Sequence, residues 1–154
     1  MDDEKAALRK KLKRMVELGR WADELWKTLP LADAIEAIEE RRRGADSDDR
    51  YTLTSDLTDF LLLAGREPEA ERIIDEMIAC LPDDVRFPLR KASLYLYYTD
   101  GPEKALDATD MALDRAYRTG FSRREALGVK ARILLKIGAA NSCRKHSRRS
   151  CPSR

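Results

Sequence analysis

Apolar residues recur along this chain at helical spacing, in runs set apart by glycine and proline. Leu8, Leu12, Met15 and Val16 share one face of a first segment, from Asp3 to about Leu18, with Asp2 or Asp3 placed as a cap. Gly19 is expected to break or bend it. Trp21, Leu25 and Leu29 follow at i, i+4 and i+8, and Pro30 restarts a helix whose stripe is Leu31, Ala34, Ile35 and Ile38. That helix ends in ERRRG, with cations where the helix dipole attracts them and Gly44 as the stop. The loop ADSDDR then supplies capping side chains to a helix predicted from Tyr51 to Ala64, built on Leu53, Leu57, Phe60, Leu61 and Ala64.

Beyond this point the punctuation repeats. Gly65 closes one helix, and Pro68 falls in the first turn of the next, where its missing N–H costs nothing. That helix buries Ala70, Ile73, Ile74, Met77 and Ile78 and ends at Leu81–Pro82. Val85 to Tyr98 reads as helix despite the strand-favouring LYLYY, because its length and flanking charges suit the longer period. Gly101–Pro102 repeats the device before a stripe of Ala105, Leu106, Thr109, Ala112, Leu113 and Ala116, which Gly120 ends. A last helix, Phe121 to Ile137, carries Leu127, Ala131, Leu134 and Leu135 and is closed by Gly138. Ala70 to Ala105 is 35 residues and Gly65 to Gly101 is 36, the period of stacked helical hairpins.

Residues 51–84 resemble the tetratricopeptide repeat (TPR), a helix–turn–helix unit of 34 residues. Leu57 and Leu61 stand on its first helix, Gly65 in the turn, Ala70, Ile74 and Met77 on its second helix, and Pro82 at its end. A second unit, about 85–120, offers Ala92, Tyr95, Gly101, Ala105 and Ala112, with a small insertion before Gly101. Leu127, Ala131, Leu134 and Gly138 look like the first helix of a third unit or a capping helix. The match is degenerate: Thr54 and Thr58 stand where the family prefers a large and a small residue, and Pro88 where a bulky one is expected. The periodicity alone equally allows another α-solenoid or a closed helical bundle.

What the resemblance implies is a short right-handed solenoid of antiparallel hairpins that grips a peptide or a partner's helix in a groove. Carried over position by position, the groove side is Ser55, Asp59 and Leu62, then Leu89, Ser93 and Leu96, then Arg132. These positions lack the Lys, Asn and Arg set of a carboxylate clamp. So few units leave apolar end faces, so residues 1–44 are expected to cap one end or the chain to form a homodimer.

Composition sharpens the picture only in part. Charged residues make up 38% of the chain and aromatics 6%, which suits long solvated helices. The net charge of +2 hides an uneven spread: residues 44–140 carry 18 acidic and 14 basic side chains, and the last fourteen carry 5 basic and none acidic. The opening MDDEKAALRKK contains no apolar leader core, and FLLLAG is too short to cross a bilayer. Three cysteines make no disulfide framework, which points to a reducing cytoplasm, and Cys80 is expected to be a small buried hydrophobe.

Chemistry-bearing patterns are few. Glu103, Asp107, Asp110 and Asp114 are spaced by four, three and four, so they form one acidic ridge, a docking strip for a basic segment or a solvated outer face. The run LRKKLKR reads as ordinary packing rather than a membrane or nucleic-acid surface, since no aromatic interleaves it before Trp21. Trp21 with Leu25 reads as core and Trp26 as half exposed. Cys143, His146 and Cys151 fall short of the four ligands of a structural zinc site, and ADSDDR lacks the Gly and terminal Glu of a calcium loop. The sole histidine lies in the tail, and no Gly-rich phosphate loop is present, so neither an enzyme nor a cofactor is expected. The expected organisation is N-terminal helices at 1–44, a repeat domain at 45–138 and a disordered basic tail at 139–154. The expected role is an adaptor for a protein or peptide partner. The alternative is a nucleic-acid-associated accessory protein using the basic N-terminal helix and tail.

Overall fold

The computed structural model describes residues 2–99 and 101–149, with side chains for 4–99 and 101–138. Among the described residues there are seven α-helices and no strand. They are α1 (Asp2–Thr28), α2 (Leu31–Arg43), α3 (Ser47–Leu63), α4 (Glu67–Cys80), α5 (Arg86–Tyr97), α6 (Pro102–Thr119) and α7 (Arg123–Arg149). The chain divides into two compact units, Met1–Ile73 and Ile74–Arg154.

In the first unit, α2 runs antiparallel to its neighbours. The Arg41 guanidinium stacks 4.2 Å over the Trp21 ring, and Arg42 Nε donates to the Thr54 hydroxyl at 2.9 Å. In contrast, α1 and α3 run parallel, joined by Arg14 to Asp49 at one end and by Trp26 edge-on to Phe60, with ring centres 5.8 Å apart, at the other. The core between them holds Leu18, Ala22, Ile35, Ile38, Leu53, Leu57 and Leu61. Thr54 and Thr58, the two misfits to the repeat pattern, are fully buried. Their hydroxyls donate to the carbonyls of Arg50 and Thr54, one turn back, at 2.6 and 2.7 Å, which satisfies each polar group inside an apolar core.

The second unit alternates in the same way. Gly101 N–H donates to Tyr95 O at 2.9 Å, which turns the chain from α5 back into α6. Lys130 reaches Asp110 and Arg123 stacks on Tyr117, so α7 runs antiparallel to α6. Lys136 Nζ donates to Leu96 O at 2.6 Å, tying α7 to the end of α5 alongside it. Small residues line the buried side of α6, where Ala105, Ala108, Ala112 and Ala116 let its neighbours approach closely. Asp84 accepts from the N–H groups of Arg86 and Phe87 and so caps α5. Pro88 follows within the first turn, buried, where it forfeits no helical hydrogen bond.

Several boundaries differ from the sequence reading. The helix α1 passes through Gly19 without a break, because a glycine inside a helix weakens it but removes no hydrogen bond. For the same reason α7 continues through Gly138 to Arg149, beyond the boundary expected there. The helix α3 starts at Ser47, four residues before Tyr51, because Asp46 accepts from Asp49 N–H at 2.9 Å and nucleates the first turn. Cys80 is exposed rather than buried, since it falls in the last turn of α4, at the edge of the stripe Ala70, Ile73, Ile74 and Met77. Gly65 and Gly120 act as expected, with φ of 68° and 73° in the left-handed region after α3 and α6. Trp26 is half exposed, as its offset from Trp21 indicated.

Candidate partner-binding site

The residues carried over from the repeat pattern fall on three helices. On α3, Ser55, Asp59 and Leu62 lie on the least covered arc, with Asp59 exposed and the other two half-buried. On α7, Arg132 is exposed. On α5 the expectation fails for the two leucines. Leu89 is 6% exposed and Leu96 3%, so both belong to the core and cannot receive a partner. Only Ser93 of that trio reaches the surface, and it is half-buried.

The reason lies in α5 itself. Phe87, Pro88, Leu89, Ala92, Leu94, Tyr95 and Leu96 are all buried, which leaves one narrow line to solvent. That line is Arg86, Arg90, Ser93 and Tyr97, at i, i+4, i+7 and i+11. The accessible register is therefore one residue later than the repeat pattern implied at two of its three positions. The polar spacing of Arg86, Arg90 and Ser93 was the available signal. The tyrosine run masked its continuation, because Tyr95 is buried while Tyr97 is 61% exposed. Next to α5, α7 presents Arg132 and also Leu135, which is 73% exposed.

The four acidic residues of α6, Glu103, Asp107, Asp110 and Asp114, are all exposed on one side, as their spacing indicates. Half of that ridge is answered from within the chain. Asp110 receives Lys130 Nζ at 2.6 Å, and Asp114 receives Arg118 at 3.4 Å, with Arg118 also 3.3 Å from Asp83. Glu103 and Asp107 have no ion pair among the described residues.

The basic N-terminal run is split. Lys11 and Arg14 turn toward the start of α3, with Lys11 2.7 Å from Asp48 and Arg14 3.1 Å from Asp46 and 2.5 Å from Asp49. These groups border an open space of about 210 Å³. The hydrogen bond to Asp49, with the charges of Asp46 and Asp49, holds the Arg14 guanidinium above its ordinary pKa. The N–H of Asp49 and then the Arg14 charge hold the Asp46 carboxyl below its ordinary value of 3.8. Leu8, Leu12 and Val16, expected to pack against the next helix, are each more than half exposed. Among the described residues of α1, those buried are Leu18 and Ala22, further along the helix.

The side chains of Cys143, His146 and Cys151 lie outside the described residues. Among the described residues, no three side chains of metal-ligating type converge, and no helix is long and apolar enough to cross a membrane. No protein-family model, no curated protein and no solved structure matches this chain.

Proposed function

We propose that this chain is a non-enzymatic adaptor that binds a protein segment across the side-by-side helices α5 and α7, using a TPR-like hairpin solenoid as its frame. The observation that carries this reading is the solvent line of α5, where Arg90, Ser93 and Tyr97 stand on a helix otherwise sunk in core. Such a helix is rigid, so side chains along its open edge are presented without the entropy cost of ordering a loop on binding. An exposed tyrosine on the same line as an arginine is the composition found at interface anchors. The exposed Arg132 adds a cation on the α7 side, which favours an acidic segment over the basic one that the α6 ridge would take. The internal pairing of Asp110 and Asp114 also weakens the ridge as a docking strip.

The test is affinity capture from native lysate with Tyr97→Ala and with Arg90→Glu plus Arg132→Glu, compared with Asp107→Lys plus Asp110→Lys. The proposal expects the first two variants to lose the captured partner and the third to keep it. Loss only in the third would transfer the site to the acidic ridge. Capture that depends on nucleic acid and disappears after nuclease treatment would replace the adaptor with an accessory protein of nucleic acid.

A further inference from the structure

Residues 5–16 of α1 carry six cations and no acid. Two of these cations are spent within the first unit, where Lys11 and Arg14 turn to Asp46, Asp48 and Asp49 at the start of α3. Lys5, Arg9, Lys10 and Lys13 are left outside that network, and all four are exposed. Lys5, Arg9 and Lys10 have no ion pair among the described residues. Lys13 has Glu17 at 3.9 Å, with both side chains largely in water, a pair too long and too wet to hold much of its charge.

The apolar side chains of the same stretch are uncovered as well. Leu8, Leu12 and Val16 are each more than half exposed, and they form one row at i, i+4 and i+8 that ends at Arg20. Lys5, Arg9 and Lys13 form the adjoining row on the helix surface. A single exposed leucine is ordinary on a protein surface. Three aliphatic side chains in line, with a row of unanswered cations along one edge, make a strip with both an apolar and an electrostatic requirement.

We infer that this face of α1 docks an acidic amphipathic helix of a partner protein. Each row fixes one feature of that helix. Leu8, Leu12 and Val16 call for aliphatic side chains at i, i+4 and i+7, which interleave with them, and Lys5, Arg9 and Lys13 call for Glu or Asp along one edge. About four turns of partner helix span the roughly 22 Å from Lys5 to Arg20. A second copy of the same face answers neither charge nor register, because it brings the same cations and no acid among residues 5–16. An anionic lipid surface fits less well than a helix, since the aliphatic row is one residue wide and no aromatic stands among residues 5–16. The face belongs wholly to the first unit and does not depend on the α5–α7 surface.

The experiment titrates the full chain into a fluorescent synthetic helix that carries Leu at i, i+4 and i+7 and Glu along one edge, followed by anisotropy. Two control peptides replace the Glu row with Lys or the Leu row with Ser. Wild-type chain is expected to bind the Glu peptide at least about tenfold tighter than either control. Leu8→Gln with Leu12→Gln should remove that binding. Arg9→Glu with Lys13→Glu should reverse the preference, so that the Lys peptide binds tighter. All four positions are exposed, so melting temperature and the helical circular-dichroism signal should hold in both variants. Equal binding of the Glu and Lys peptides, or unchanged binding by the double Gln variant, would overturn the inference. So would association of wild type with phosphatidylserine vesicles, but not with the Glu peptide, that depends on Leu8 and Leu12. Self-association in sedimentation that the same two variants abolish would give the face to a second copy and overturn it too.

Discussion

The Arg115 guanidinium donates to the carbonyl oxygen of Leu81 at 2.9 Å. It also donates to Asp84 O at 2.9 Å and Ile78 O at 3.2 Å, so a single buried side chain of α6 gathers three carbonyls at the end of α4 and in the following turn. The α4 C-terminus has no cationic side chain of its own in the last turn, and Arg115 supplies from 31 to 37 residues away what a local Lys or Gly would otherwise provide. Replacing it with Met keeps much of the apolar stem but removes all three bonds, and of the three acceptors Leu81 O alone still accepts from a backbone N–H, that of Asp84 at 3.1 Å. We expect Arg115→Met to cost about 2–3 kcal/mol in urea unfolding. Arg115→Lys should cost less, since an ammonium recovers some of the bonds. A Met variant as stable as wild type would show that water serves those carbonyls equally well.

Gly19 and Gly65 make opposite predictions. A Cβ at Gly19 meets no atom within 4 Å, and the helix is continuous through it. Gly19→Ala should therefore stabilise the chain by about 0.5–1 kcal/mol through helix propensity and a less flexible unfolded state. Gly65 also has open space around it, but its φ of 68° is a conformation that side chains resist. Gly65→Ala should destabilise by about 1–2 kcal/mol. Calorimetry of both variants checks the pair, and a destabilising Gly19→Ala would mean that α1 bends there.

The ion pairs at the start of α3 impose a pH dependence of known sign. The Asp46 carboxyl lies below its ordinary 3.8 when folded, chiefly through the Asp49 N–H. Its contribution is complete above 3.8 and is lost as the pH falls through the lower folded value. Glu69, held below its ordinary 4.5 by the Arg66 hydrogen bonds, acts in the same direction. Melting temperature should fall on acidification through this window. Asp46→Asn keeps the capping oxygen and loses the titration, so its acid dependence should be shallower. Parallel curves for the two proteins would contradict the assignment.

Along α5, stability and surface chemistry should separate residue by residue. Leu89→Ala and Leu96→Ala remove buried methyl groups and should each cost about 2–4 kcal/mol. Tyr97→Ala, at an exposed position, should stay within about 0.5 kcal/mol. The reverse outcome would return the two leucines to a groove.

Reading residues in order was enough for the helices. Glycine at left-handed turns, proline in first turns and apolar residues every three or four positions are local devices, and Gly65, Pro68, Gly101–Pro102 and Gly120 mark element ends close to where the chain turns. The same local logic placed Glu103, Asp107, Asp110 and Asp114 on one side of α6, since spacing alone decides which residues share a helical face. It misjudged Gly19 and Gly138, because glycine permits a stop without requiring one.

Packing decided the rest. Whether Leu89 or Arg90 meets solvent depends on how many neighbours cover α5. Whether Leu8, Leu12 and Val16 are covered depends on which flank of α1 meets α3. Lys11 and Arg14 meet the acids of α3, and Arg115 finds its carbonyls, only because the chain returns on itself. Periodicity describes a single helix in isolation, whereas burial and charge pairing belong to the contacts between helices.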